Sequence, residues 1–237
     1  PIWKDAYKNK VLSQSGGSVF VYDTSSVSRI FDSRLSYAKG GLILHMQRWI
    51  LGDEIFFSAL KNYFTDEKVA NGFAYSEDWI RHIEMAGDTS LTEFFNDWLY
   101  KEGYPVYSIN YRQQKSDSLI LNLLQTTSHP SVDFFEMPVP IRVYGNNKTD
   151  SADFRLNNYK NNQEFVVNPG FIIDEIVIDP EDWIICKTGQ ITGTTDIFKN
   201  ENLMVYPNPT SNQITIIIPN SEALVRTRIY GIGGNLI

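Results

Sequence analysis

The feature that most limits how this chain can fold is a change of hydrophobic period at Gly103-Tyr104-Pro105. Before it, apolar residues recur at the spacing of helices, and after it they alternate as in strands. The proline confirms the boundary, because it cannot continue a helix. A block of helices followed by a block of strands predicts an α + β architecture.

The helical block is punctuated by start and stop signals. Ser36 is a helix N-cap and Gly52 a stop, with Leu42, Leu44, Met46, Trp49, Ile50 and Leu51 between them. Asp53 is expected to cap the next helix, whose Phe56, Phe57, Leu60, Tyr63 and Phe64 share the spacing of one buried face. Ser76 opens a further helix with Trp79, Ile80 and Ile83 inward and Gly87 as its stop. Ser90-Leu91-Thr92-Glu93 has the form of a capping box leading into Phe94, Phe95, Trp98 and Leu99. Ahead of these lie a helix over about 3–12, a polar break at Ser13-Gln14-Ser15-Gly16-Gly17, and Phe31, expected in the core. Residues 36–103 thus read as a compact all-α unit.

The strand block shows short runs at 106–111, 118–125, 138–144, 163–167, 174–178 and 183–185, separated by polar turns. This pattern predicts a β-sandwich over 105–188. Residues 189–202 have little periodicity and read as a linker, and 203–237 as a further, incomplete β unit. Pro1 stands where no initiator Met or signal pattern is present, and the chain stops just after a turn signal at Gly233-Gly234. Both ends are therefore expected to be cut from a longer protein. The net charge of −7, without a basic block, argues against a nucleic-acid partner. The apolar runs are too short to cross a bilayer. Cys186 is the single cysteine, so no disulfide can form within the chain.

At the head of the helix from Ser36 stands Tyr37, beside Lys39, Gly40 and Gly41. A phenol held on a rigid helix can donate a hydrogen bond into a cleft. The two glycines each cost about 1 kcal/mol of helix stability relative to alanine, so something else must favour them. Taken alone, the same tyrosine reads rather as an aromatic at a helix start that packs in the core.

Tyr37-Ala38-Lys39-Gly40 resembles the Tyr-x-Lys-Gly helix start of the aminopeptidase N family of zinc peptidases. The resemblance continues through Leu51-Gly52-Asp53-Glu54, the aromatic helix 56–64, Glu77-Asp78-Trp79, Phe94-Phe95-Asn96-Asp97-Trp98-Leu99, Gly103-Tyr104-Pro105 and Asp179-Pro180, in order, over about 27–188. It implies that residues 1–104 are the C-terminal, helical half of a thermolysin-like catalytic domain, with the β-sandwich at 105–188. It also implies a catalytic role for Tyr37, stabilising the oxyanion of peptide hydrolysis. The tail motif Tyr206-Pro207-Asn208-Pro209-Thr210 is similar to the C-terminal sorting domain of type IX secretion. That likeness implies a secreted or surface protein that meets the secretion machinery, with a partial sorting domain at 203–237.

The family binds zinc through His-Glu-x-x-His and a further glutamate, with two imidazoles one helical turn apart reaching one metal. This chain has three histidines, His45, His82 and His129, and no two are spaced i, i+4. Zinc is therefore expected only in the parent protein, with ligands before residue 1, and the isolated chain is expected to be inactive. The expected function is that of a fragment of a secreted zinc aminopeptidase acting on peptide substrates. The alternatives are a non-catalytic surface-binding or scaffold relative of the same fold, and an adhesion module in which the helices are a spacer.

Overall fold

In the computed structural model, the described residues are 2–70 and 72–195, together with the backbone of 204–206 and 215–217. The chain forms two compact units, one ending at Asp196 and one from Ile197 to Ile237.

The first unit opens with helix α1 (Ile2–Leu12) and the single turn α2 (Val27–Ile30). A π-helical turn, Ser33–Lys39, runs directly into α3 (Gly40–Leu51). Then come α4 (Asp53–Thr65), α5 (Ser76–Gly87) and α6 (Thr92–Phe95), the last continuing into a second π turn, Asn96–Tyr100. Gly52, with φ 83°, ends α3 and starts α4. Gly103 has φ 97°. It takes the chain out of the helices into the first strand, and a Cβ there would come within 2.9 Å of His129.

The strands are β1 (Pro105–Lys115), β2 (Ser118–Thr127), β3 (Met137–Gly145), β4 (Asp150–Asn158), β5 (Gln163–Val167), β6 (Ile173–Ile178) and β7 (Lys187–Thr195). One sheet has the order β5-β2-β1-β7 and the other β4-β3-β6. All neighbours pair antiparallel except β1 and β7, which are parallel. Alternate residues face the core: Leu119, Leu121 and Leu123 from β2, and Val139, Ile141 and Val143 from β3. Two of the inward positions are glutamines that act as surrogate peptide groups. Gln125 Oε1 accepts from Phe135 N at 2.7 Å and its Nε2 donates to Phe135 O at 3.0 Å. Gln113 does the same for Ile173 N and Phe171 O.

Helices and sandwich share one apolar core. Trp98, 1% exposed, lies against Phe135, and Met46 is fully enclosed beside Ile185. Polar bonds lock the same seam. Trp49 Nε1 donates to Pro138 O at 2.7 Å, and Arg155 donates to the carbonyls of Trp49 and Ile50, capping the end of α3. At the other side, Asp179 has a completely buried carboxylate. It receives Lys8 Nζ from α1 at 2.5 Å, Trp183 N at 2.7 Å and Ile184 N at 3.2 Å.

The structure corrects several sequence expectations. Residues 183–185 are a loop, not a strand, because the Asp179 carboxylate takes the amides a neighbouring strand would need. Residues 189–195, expected to begin a linker, belong to β7 and pair with β1. Strand β4 was not expected: it is an edge strand with a polar outer face, so its alternation is weak. Phe31, Phe57 and Phe64 are not core residues but 62%, 50% and 65% exposed. Of the residues expected on the buried face of α4, Phe56 is buried there, and Ala59 joins it. Asp53 does not cap α4; it pairs with Arg48, leaving Gly52 as the cap. The capping box at Ser90 does not form: the helix has Leu91 as its N-cap, and Ser90 Oγ accepts from Thr92 N at 3.3 Å rather than from the Glu93 amide.

In the second unit, Met204–Tyr206 pairs antiparallel with Thr215–Ile217. The Pro207-Asn208-Pro209-Thr210 turn and the strand expected at 227–230 lie outside the described residues, as does most of the proposed sorting segment. Among the described residues, no helix is long and apolar enough to cross a membrane.

Candidate functional site

Tyr37 sits inside the π turn that precedes α3. The turn is capped by Asp32, whose Oδ1 accepts from Arg34 N at 2.8 Å and Leu35 N at 2.7 Å. These amide bonds, that from Leu35 first, hold the Asp32 carboxyl below the usual carboxylate range. Ser36 is therefore not the N-cap. The charged acceptor four residues earlier caps two amides at once, and Ser36 lies within the turn, its hydroxyl between Arg29 Nη1 and Arg29 O. Tyr37 thus falls on the second turn rather than the first. Its amide reaches back five residues to Asp32 O at 3.3 Å. Isolated π turns of this kind recur at functional sites.

The Tyr37 ring is 55% exposed, while Ala38 and Lys39 beside it are each only 1% exposed. The phenol is therefore carried on the surface by a turn whose other side is fully packed. That packed side rests on a strap, residues 16–20, held by three cations. Arg34 Nη1 donates to Gly16 O at 2.9 Å, and Lys39 Nζ to Gly17 O at 2.9 Å. Arg29 Nη2 donates to Ser18 O at 2.7 Å, Val19 O at 3.3 Å and Phe20 O at 3.0 Å. From the opposite side, Glu102 Oε2 accepts from Gly17 N at 2.6 Å, and Phe20 N donates to Leu99 O. Gly17 has φ +103°, and a Cβ there would meet Arg34 Nη2 and Leu35 Cδ2 at 2.7 Å each. Only glycine fits under the turn.

The sequence marked Gly16 and Gly17 only as the end of a polar break, and assigned no element to Val19 and Phe20. Arg29 and Glu102 were missed, because their partners are backbone groups remote in sequence or in another element. Lys39 is more than a packing residue: it is a buried ammonium with a single bond. Burial, then the nearby Arg34 guanidinium, push its pKa down to about 8 from the ordinary 10.5. Between those two values the unfolded chain binds the extra proton, so Lys39 makes stability rise as pH goes from 8 to 10.5. Urea denaturation across that range should show Lys39→Met lacking this rise. Parallel curves for the two proteins would place the lysine in a solvated environment instead.

The three histidines are not brought together. His45 stacks on Trp183, with centroids 4.5 Å apart, and burial, then the charges of Lys4 and Arg48, lower its pKa to about 4. It is a neutral packing group near pH 7. His82 Nε2 lies 2.9 Å from Asp66 Oδ2, and His129 Nδ1 lies 3.0 Å from Ser131 Oγ. Among the described residues, no group of three His, Cys, Asp or Glu side chains is arranged to hold a metal ion. The described residues therefore do not fit a zinc ion. Cys186 is buried and its thiol is pushed up to about 12 by that burial, which leaves it unreactive.

The part of the chain that carries Tyr37 is similar to a defined class of hydrolases: residues 4–98 match the Peptidase family M1 domain. Among individual proteins, the chain is 35% identical over 99 residues to aminopeptidase N of Lactococcus lactis subsp. lactis, covering 42% of this chain and 11% of that protein. It is 38% identical over 88 residues to aminopeptidase N of Lactobacillus delbrueckii subsp. lactis, covering 37% and 10%. A longer match, 27% identity over 145 residues, is to probable aminopeptidase 1 of Sulfurisphaera tokodaii, covering 58% and 17%. In fold, the chain is similar to the crystal structure of Legionella pneumophila aminopeptidase A in complex with aspartic acid, with a TM-score of 0.62 at 15% identity over 74% of this chain and 20% of that one. The chain thus spans about a tenth of the length of the two aminopeptidases N.

Proposed function

We propose that this chain is part of a zinc aminopeptidase and contributes Tyr37 as the hydrogen-bond donor to the oxyanion of peptide hydrolysis. One observation carries the reading: a phenol exposed on a rigid π turn lies within the stretch that matches the M1 domain. The O–H of a tyrosine donates a single hydrogen bond without itself needing to ionise. Such a donor is most useful when its support does not reorganise as charge develops. Here the strap and its three cations supply that support.

Zinc, in this reading, belongs to the parent protein and supplies Lewis-acid activation there. Its ligands lie outside these residues, so this chain's own contribution is to position the phenol. The parent should release p-nitroaniline from an aminoacyl anilide, lose that activity to a chelator and regain it with zinc. The isolated chain should bind no stoichiometric zinc and show no turnover. A folded parent with no turnover would favour the alternative, a surface-binding or scaffold relative.

The tail adds a proposal about location. Tyr206-Pro207-Asn208-Pro209-Thr210, following the residues of the first unit, supports export through type IX secretion to the cell surface or medium. Removing 203–237 from the parent should leave it inside the outer membrane of a host with that system. Unchanged export of the truncated protein would end this part of the reading.

A further inference from the structure

The two carbonyls that flank the Gly17 amide hold the π turn at both ends. Arg34 Nη1 donates to Gly16 O and Lys39 Nζ to Gly17 O, each at 2.9 Å. The two cations stand three residues before Tyr37 and two after it. Gly17 has no side chain with which to pack, so its hydrogen bonds fix its place.

The Gly16–Gly17 peptide group is bound from both of its sides. Its C=O accepts from the Arg34 guanidinium, and its N–H donates to Glu102 Oε2 at 2.6 Å. A cation on the oxygen and an anion on the hydrogen polarise one peptide in the same sense, so each bond strengthens the other. Glu102 lies where the helices give way to the sandwich, between the second π turn and β1. Its own backbone is clamped there: Glu102 N donates to Ser131 Oγ at 3.0 Å, and Ser131 Oγ donates to Glu102 O at 3.1 Å. The nearest other anchors on that side fall at Ser15, whose carbonyl accepts from Ser128 Oγ at 2.8 Å, and at Phe20, whose amide donates to Leu99 O at 2.9 Å. Among the described residues, Glu102 is the one side chain that hydrogen-bonds the Gly16–Gly17 peptide from the side opposite the π turn.

We propose that Glu102 is a positioning residue for the reaction at Tyr37: its carboxylate, rooted at the helix–sandwich junction, fixes the Gly16–Gly17 peptide and through it both ends of the turn that carries the phenol. Given Tyr37 as the oxyanion donor, a small displacement of the turn lowers kcat, since a donor helps only where the oxyanion forms. Glu102 itself contacts no reacting atom in this role.

In the parent enzyme, Glu102→Ala should lower kcat about ten-fold with KM nearly unchanged. That is the low end of what a hydrogen bond to a charged group contributes, because this side chain is 42% exposed. Glu102→Gln keeps an acceptor for the Gly17 amide and should hold kcat within about three-fold of the unaltered enzyme. In a Tyr37→Phe background, Glu102→Ala should change kcat by less than about two-fold, because it acts through the hydroxyl already removed. In the 237-residue chain, the Ser36 and Tyr37 amides, both bonded to Asp32 O, should exchange hydrogen faster in Glu102→Ala while the amides of β2 and β3 keep their rates. An equal fall in kcat with and without the Tyr37 hydroxyl, or faster exchange throughout the fold, would make Glu102 a general prop and overturn the proposal. Unchanged kcat in Glu102→Ala beside an impaired Tyr37→Phe, as when water takes over the Gly17 amide, would overturn it and leave Tyr37 in its role. Full activity of Tyr37→Phe would end both.

Discussion

Tyr37→Phe in the full-length parent enzyme is expected to lower kcat by about 10²–10³-fold, the usual cost of deleting one oxyanion donor. KM should change little, because the bond strengthens only as the carbonyl oxygen gains charge. The substitution removes one oxygen from a side chain that is already 55% exposed and has no hydrogen-bond partner among the described residues. Thermal stability should therefore stay within about 0.5 kcal/mol, as for most surface changes. That separation is what makes the experiment informative. A fall in kcat accompanied by unfolding would indicate a packing residue. Full activity in Tyr37→Phe would remove the tyrosine from the chemistry altogether.

Asp179→Ala is expected to destabilise the first unit by about 3–5 kcal/mol, the range for breaking a buried ion pair from one side. Burial pushes the Asp179 carboxyl up, and Lys8 together with the amides of Trp183 and Ile184 pull it back. Burial also opposes the charge on Lys8, but the neighbouring carboxylates more than offset it, and its pKa ends above the ordinary value. Alanine would leave that ammonium with Asp182 alone, and two amides without acceptors. Urea denaturation should show the loss, and the Lys8→Met/Asp179→Ala pair should cost less than the sum of the single changes. A loss of under about 1 kcal/mol would mean that water replaces the carboxylate there.

Much of the architecture could be read from the residues because it rests on periodicity. The helices from Gly40, Asp53 and Ser76, and most strands of the sandwich, repeat their apolar positions often enough to be seen. What escaped has a common physical origin: groups whose partners are distant. Asp179 diverts the backbone of 183–185 from a strand, and Glu84, from the preceding helix, takes the amide of Leu91, which is the N-cap where Ser90 was expected. Gln113 and Gln125 look like polar interruptions, yet they are inward-facing peptide surrogates. Phe57 and Phe64 failed for the opposite reason, since apolar character does not by itself dictate burial. At the candidate site, the sequence singled out Tyr37 through its likeness to a family motif, and the structure adds its exposure on the turn. The strap that supports it was not legible in the sequence, because its cations bind carbonyls up to 22 residues away.

The pairing of the first helix with the last loop also bears on how the molecule comes into being. Lys8 waits for a carboxylate 171 positions later, and β1 has β7 as its outer neighbour. A nascent chain that has emerged from the ribosome only as far as β6 holds an ammonium without its counter-ion and a sheet with a bare edge. Contacts this far apart form slowly, and they make the final assembly step a late one, completed only after synthesis has passed the end of β7.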